Sequence, residues 1–227
     1  MSLEKNLYLV RERIEQAARR VGRNPEEITL VGVCKTVERE KVEEAFRLGL
    51  TDFGENRIAS AEGKFIPLPY PEGQAKLHLI GHLQTNKARR AAALCDFVHS
   101  VDSLKIAQAL DRHCFELGKS LPILLEVNVS GEQTKYGLKP AELDDVIEQI
   151  LPLRHLRLRG LMTLAPFEDE PEQTRPVFRK LKKLFESYSN DAKIAEWHDL
   201  SIGMTNDFEV AIEEGATIVR VGRALFE

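Results

Sequence analysis

Strand-like and helix-like segments alternate along almost the whole chain, and that alternation limits the available folds more than any other feature. Short β-branched and apolar runs mark strands at 28–34, 51–54, 76–80, 97–100, 122–129, 156–162, 198–201 and 217–221. Between them, spacings of three and four predict helices at 38–48, 56–64, 85–93, 103–118, 140–150, 172–188 and 206–214. Each return between parallel strands needs a crossover of helix length, so this order argues for a parallel sheet with both faces covered. Eight such units in 227 residues fit an α/β fold, a single (β/α)8 TIM-type barrel. A doubly wound open sheet is the competing arrangement of the same elements.

The ends of the chain fit the barrel. Leu3, Leu7, Val10, Ile14, Ala17, Ala18 and Val21 make one apolar face of an extra N-terminal helix, which Gly22 and Pro25 end. Only Gly222–Glu227 follows the last strand, too short for a full eighth helix, so the leading helix is expected to take that place. Residues 1–227 read as one domain. A net charge of −4 gives no general reason to bind nucleic acid. Cys34, Cys95 and Cys114 lack the spacing of a disulfide framework or a zinc site, which fits a reducing compartment. The N-terminus is charged rather than apolar, and no run approaches the ~20 apolar residues of a membrane span. The expectation is a cytoplasmic protein without metal, membrane or nucleic-acid partners.

Chemistry concentrates at three strand ends. Lys35 follows the first strand, Ser201-Ile-Gly-Met-Thr205 ends the seventh, and Val219-Arg-Val-Gly222 ends the eighth. Closure brings strand eight beside strand one and sets strands one and seven roughly 10 Å apart, at the face where barrels of this type carry their active sites. Pyridoxal phosphate could bridge that gap. A lysine in a partly desolvated strand end becomes a usable amine for an aldehyde. Ser201 and Gly203 offer a hydroxyl and an approachable backbone to a phosphate. Asn206 with Glu209 suggests a capping box on the following helix. Arg220, two residues before Gly222, sits on a strand whose inner face ought to be apolar, and it needs a partner there.

Other signals carry less. His78 and His82 have an HxxxH spacing but no third ligand. Gly118-Lys-Ser120 lacks the first glycine of a P-loop. Met162 and Trp197 read as core.

The segments Val31-Gly-Val-Cys-Lys-Thr36, Phe53-Gly-Glu-Asn56, His78–Lys87, Arg159-Gly-Leu-Met162, Leu200–Thr205 and Val219–Gly222 occur in an order that resembles the pyridoxal phosphate homeostasis protein family. The barrel of that family is similar to the N-terminal domain of alanine racemase. The resemblance implies that Lys35 holds the aldehyde as an aldimine, that Ser201 and the amides near Gly222 hold the phosphate, and that Arg220 faces the pyridine nitrogen. It also implies that Asn56 and Thr205 line the pocket. It gives His78–Lys87 no chemical role. Arg223 and Glu227 stand where smaller residues are expected.

A guanidinium at the pyridine nitrogen is a permanent donor, so the ring stays unprotonated and is a weaker electron sink. Alanine racemases take their second base from a C-terminal domain, which this chain is expected to lack. The expected function is a carrier that buffers pyridoxal 5'-phosphate or delivers it to apo-enzymes, a likeness of vitamin B6 homeostasis without efficient catalysis. The alternative is a slow amino-acid racemase. The expected lack of a closing domain leads to the expectation of a monomer.

Overall fold

The computed structural model describes residues 2–132, 135–189, 191 and 193–227. Eight parallel strands form a closed barrel in sequence order: β1 (Thr29–Val33), β2 (Asp52–Glu55), β3 (Lys76–Leu79), β4 (Phe97–Val101), β5 (Leu121–Glu126), β6 (Leu156–Met162), β7 (Asp199–Met204) and β8 (Ile218–Val221). The pairing of β1 with β8, Thr29 with Ile218 through Gly32 with Val221, leaves no open edge and excludes the doubly wound alternative. Outside lie α1 (Leu3–Arg20), α2 (Arg39–Arg47), α3 (Ile58–Phe65), α4 (Ala88–Leu94), α5 (Leu104–Leu117), α6 (Leu143–Ile150), α7 (Arg175–Tyr188), α8 (Phe208–Glu213) and α9 (Arg223–Phe226).

The leading helix does what its pattern implies. Ser2 Oγ accepts from the Lys5 amide, and Leu3, Leu7, Val10, Ile14, Ala17 and Ala18 are buried. Each of the four larger side chains contributes roughly 1.5–3 kcal/mol by leaving water. That face packs on α8 and on α9, a single turn that the sequence reading did not anticipate. On the outer side, Arg13 and Arg20 pair with Glu209, and Arg20 also with Glu213. Glu209 therefore ties α1 to α8 and does not cap it. The residue before α8 is Asp207, whose Oδ1 accepts from the Met204 amide at 2.6 Å.

The barrel interior is divided. Val31, Phe97, Leu124, Met162 and Ile218 form one apolar cluster. The rest is polar: His78, His99, Ser201 and Arg220 are all buried. An interior filled only with branched apolar side chains is the wrong picture for this barrel. A bulge in β7 between Ser201 and Met204 aims the following residues at the mouth. Gly203 carries the bulge at φ +87, and a Cβ there would stand 2.5 Å from the Ala211 Cβ. Its missing side chain thus serves the bulge and the seating of α8 rather than the approach of a phosphate. Trp197 stacks on Phe185 and is buried, as a core residue would be.

Candidate functional site

At the C-terminal mouth of the barrel lies a cavity of about 450 Å³. Its wall includes Lys35, Asn56, Thr205, Arg220 and Gly222, so five of the six residues singled out in the sequence meet there, from the ends of β1, β2, β7 and β8. Val33, Ile80 and Leu164 add an aliphatic lining.

The sixth residue lies underneath. Ser201 is fully buried and does not line the cavity; its Oγ accepts from Arg220 Nη1 and faces His99 Nδ1 at 3.0 Å. The strand period turns it to the barrel axis before the bulge takes effect. Thr36 and Thr205 do line the cavity, and Thr205 Oγ1 accepts from the Gly222 amide at 3.2 Å.

Lys35 and Arg220 occupy opposite environments. Lys35 stands exposed, two residues beyond β1, so the partly desolvated position expected for it is absent. Arg220 is 3% exposed. Val31, its register partner, belongs to the interior cluster, and neighbours in a parallel pair share a face. Its Nη2 donates to the Thr163 carbonyl at 2.9 Å. Burial pulls this guanidinium down to about 10, against the attraction of Asp207 and Glu126. Glu126, at the end of β5, is pushed up to about 7 by burial and by Asp102, with Arg220 opposing. Arg223 and Glu227 both line the cavity and are exposed, so Arg223 adds positive charge at the rim.

The segment 78–87 now has a structural role. A Cβ on Gly81 would stand 2.3 Å from the Asn56 carbonyl oxygen, so only glycine lets this loop close on Asn56. The Gly81 carbonyl is in turn fixed by Ser100 Oγ at 2.6 Å. His78 points into the barrel, 3.0 Å from Asp52 and 2.9 Å from His99. His82 points elsewhere, pairing with Asp102 at 2.8 Å and stacking on Tyr136. The two histidines of the HxxxH spacing diverge. Sequence reasoning missed His99 and Asp52; polar residues inside short, otherwise apolar strands were the available signal.

A parallel barrel with an amine, a buried guanidinium and an amide-and-hydroxyl turn at its mouth falls in the class of the alanine racemase N-terminal domain, whose family profile matches residues 6–227. The alanine racemase of Clostridium difficile 630 shares the fold, with a TM-score of 0.70 at 16% identity over 99% of this chain and 56% of that one. Nearer relatives lie within one group. The pyridoxal phosphate homeostasis protein of Aquifex aeolicus is 40% identical over 100% of this chain and 98% of its own length. PipY of Synechococcus elongatus, solved with PLP bound, superposes with a TM-score of 0.82 at 34% identity, covering 96% of this chain and all of that one. The chain belongs to the pyridoxal phosphate homeostasis protein family. The Aquifex aeolicus and Escherichia coli relatives carry the homeostasis name. Among the described residues, no helix is long and apolar enough to cross a membrane.

Proposed function

We propose that the cavity at the barrel mouth binds pyridoxal phosphate and that the protein holds and releases this cofactor without turning over an amino acid. The observation that carries the reading is the convergence of Lys35, Thr205, Arg220 and Gly222 on one cavity. Its residues fit the group. The aliphatic Val33, Ile80 and Leu164 suit a flat ring, and Lys35, Arg220 and Arg223 supply positive charge. Both recorded bonds of Arg220 go to neutral oxygens, so this buried cation has donors left for an acceptor in the cavity.

When bound, pyridoxal phosphate supplies an aldehyde that condenses with a primary amine and a ring that stabilises carbanions when protonated. In this reading Lys35 Nζ is the amine, and its exposure lets the aldehyde come and go. Thr205 Oγ1, oriented by the Gly222 amide, donates to the phosphate, with Arg223 at the rim. Asn56, seated by Gly81, borders the ring. Arg220 donates at the ring nitrogen and keeps it unprotonated, which weakens the electron sink that transamination and β-elimination need. Ser201 acts through Arg220 rather than on the phosphate. The homeostasis names of the relatives support a carrier, and the open mouth around Lys35 supports hand-over to apo-enzymes.

The test is exchange of the α-proton in deuterated solvent, with L-alanine and a panel of other amino acids and the loaded protein. A carrier gives negligible exchange. Brisk exchange with any of them would establish the racemase alternative.

A further inference from the structure

Beneath the cavity, five side chains from five strands make an unbroken hydrogen-bonded line through the barrel. Arg220 on β8 reaches Ser201 on β7, and Ser201 Oγ lies 3.0 Å from His99 Nδ1 on β4. His99 Nε2 is 2.9 Å from His78 Nδ1 on β3, and His78 Nε2 is 3.0 Å from Asp52 Oδ1 on β2. The first four are buried. Asp52 is only partly so, at the opposite end of its strand from the mouth.

With one proton on each imidazole, a single donor assignment satisfies every link. Arg220 has only N–H groups to offer, so Ser201 Oγ accepts from it. The serine hydroxyl is left with one hydrogen, and the recorded partner for it is His99 Nδ1. With Nδ1 accepting, His99 carries its proton on Nε2 and donates to His78 Nδ1. His78 in turn carries its proton on Nε2 and donates to the Asp52 carboxylate. Every link runs from Arg220 toward Asp52, and both imidazoles are neutral. A second proton on His78 would set two N–H groups against each other at 2.9 Å. The charges agree with this polarity. Burial, with the Arg220 and Arg159 guanidiniums nearby, holds His99 well below the usual imidazole range. Burial tends to raise Asp52, but the hydrogen bonds from His78 and Thr51 and the nearby positive charge together outweigh it, and the carboxyl ends below its ordinary value.

We infer that Ser201, His99, His78 and Asp52 are positioning residues for Arg220, joined in a one-way hydrogen-bond chain that fixes the guanidinium and directs its free donors into the cavity. A buried arginine bonded only to neutral oxygens lacks a contacting carboxylate. The chain delivers that charge from a distance, because each bond polarises the next. Asp52 makes His78 Nδ1 a better acceptor, His99 Nδ1 follows, and the serine oxygen becomes more negative at Arg220. The side of Arg220 toward the axis is thereby occupied. The inference rests on the reading of the cavity as a pyridoxal phosphate site only for its consequence, not for the chain itself.

Two measurements test it. Side-chain 15N NMR of the cofactor-free protein should find both His78 and His99 as Nε2–H tautomers with bare Nδ1; a proton on Nδ1 of His99 would overturn the chain. In protein loaded with pyridoxal phosphate, Ser201→Ala and Asp52→Asn should each shift the visible band of the bound cofactor. They should also weaken its binding about threefold to tenfold, the worth of one ordinary hydrogen bond. Met162→Leu is the control, because Met162 pairs with Ser201 in register but stands outside the chain. If the two variants lose stability yet leave the band where Met162→Leu leaves it, the line only supports the fold and the positioning role falls. If the wild-type protein forms no Lys35-dependent band, the cofactor reading fails, and the tautomers still decide the chain.

Discussion

Lys35 and Arg220 share one cavity and are built in opposite ways. Lys35 is exposed beyond the end of its strand, whereas Arg220 lies in the wall, 3% exposed, with Ser201 and Thr163 as fixed acceptors. In the proposed function the difference separates capture from positioning. An amine that must take up and give back an aldehyde gains from access to solvent, since burial would slow exchange. A group that sets the protonation of a ring gains from rigidity, because one bond angle decides whether it donates. Burial costs Arg220 proton affinity, bringing it to about 10, but at neutral pH it stays charged.

Substitutions can break this contrast. The largest effect is expected from Lys35→Ala, which should abolish the visible band of bound pyridoxal phosphate while leaving the thermal unfolding curve nearly unchanged, because the side chain is exposed. Next comes Arg220→Glu. It should shift the band by favouring a protonated ring, and it should lower stability by roughly 3–5 kcal/mol, since a third carboxylate would join Glu126 and Asp207 in a buried site. An unshifted band would mean that the arginine does not face the ring.

Glu126 sharpens the comparison from the other side of the barrel. Its carboxyl rises from an ordinary 4.5 to about 7 through burial and Asp102. Below pH 4.5 it is protonated in folded and unfolded chains alike. Between 4.5 and 7 the unfolded chain loses the proton first, so stability falls as pH rises, and above 7 the loss is complete. Glu126→Gln should therefore flatten the stability profile in that window and raise stability at pH 8 by roughly 1–3 kcal/mol, measured by urea unfolding across pH. The smallest effect is expected from Thr205→Val, which removes the hydroxyl at the Gly222 amide and should weaken cofactor binding by about 1 kcal/mol in a titration.

Much of this molecule was legible as sequence. All eight strands lie within a few residues of their expected positions, because parallel strands covered on both faces read as apolar runs. Lys35, Arg220 and Gly222 were found for a related reason, because barrel closure fixes which strand ends share the mouth, whereas Asn56 and Thr205 came from the family resemblance. What escaped depends on which way a side chain points. The bulge at Gly203 separates Ser201, aimed at Arg220, from Thr205, aimed at the cavity, and no spacing in the sequence announces a bulge. His78 and His99 are 21 residues apart and meet only because β3 and β4 are neighbours whose inner positions face one axis. Polar side chains in these apolar strands were a visible signal, but their partners became evident only once the barrel had closed.

The central claim is that Lys35, the exposed amine, is the residue that captures pyridoxal phosphate. Borohydride reduction of the loaded protein followed by peptide mapping tests it most directly. One reduced pyridoxyl group per chain is expected, on Lys35. A modification mapping chiefly to another lysine, or protein left unmodified after loading, would contradict it.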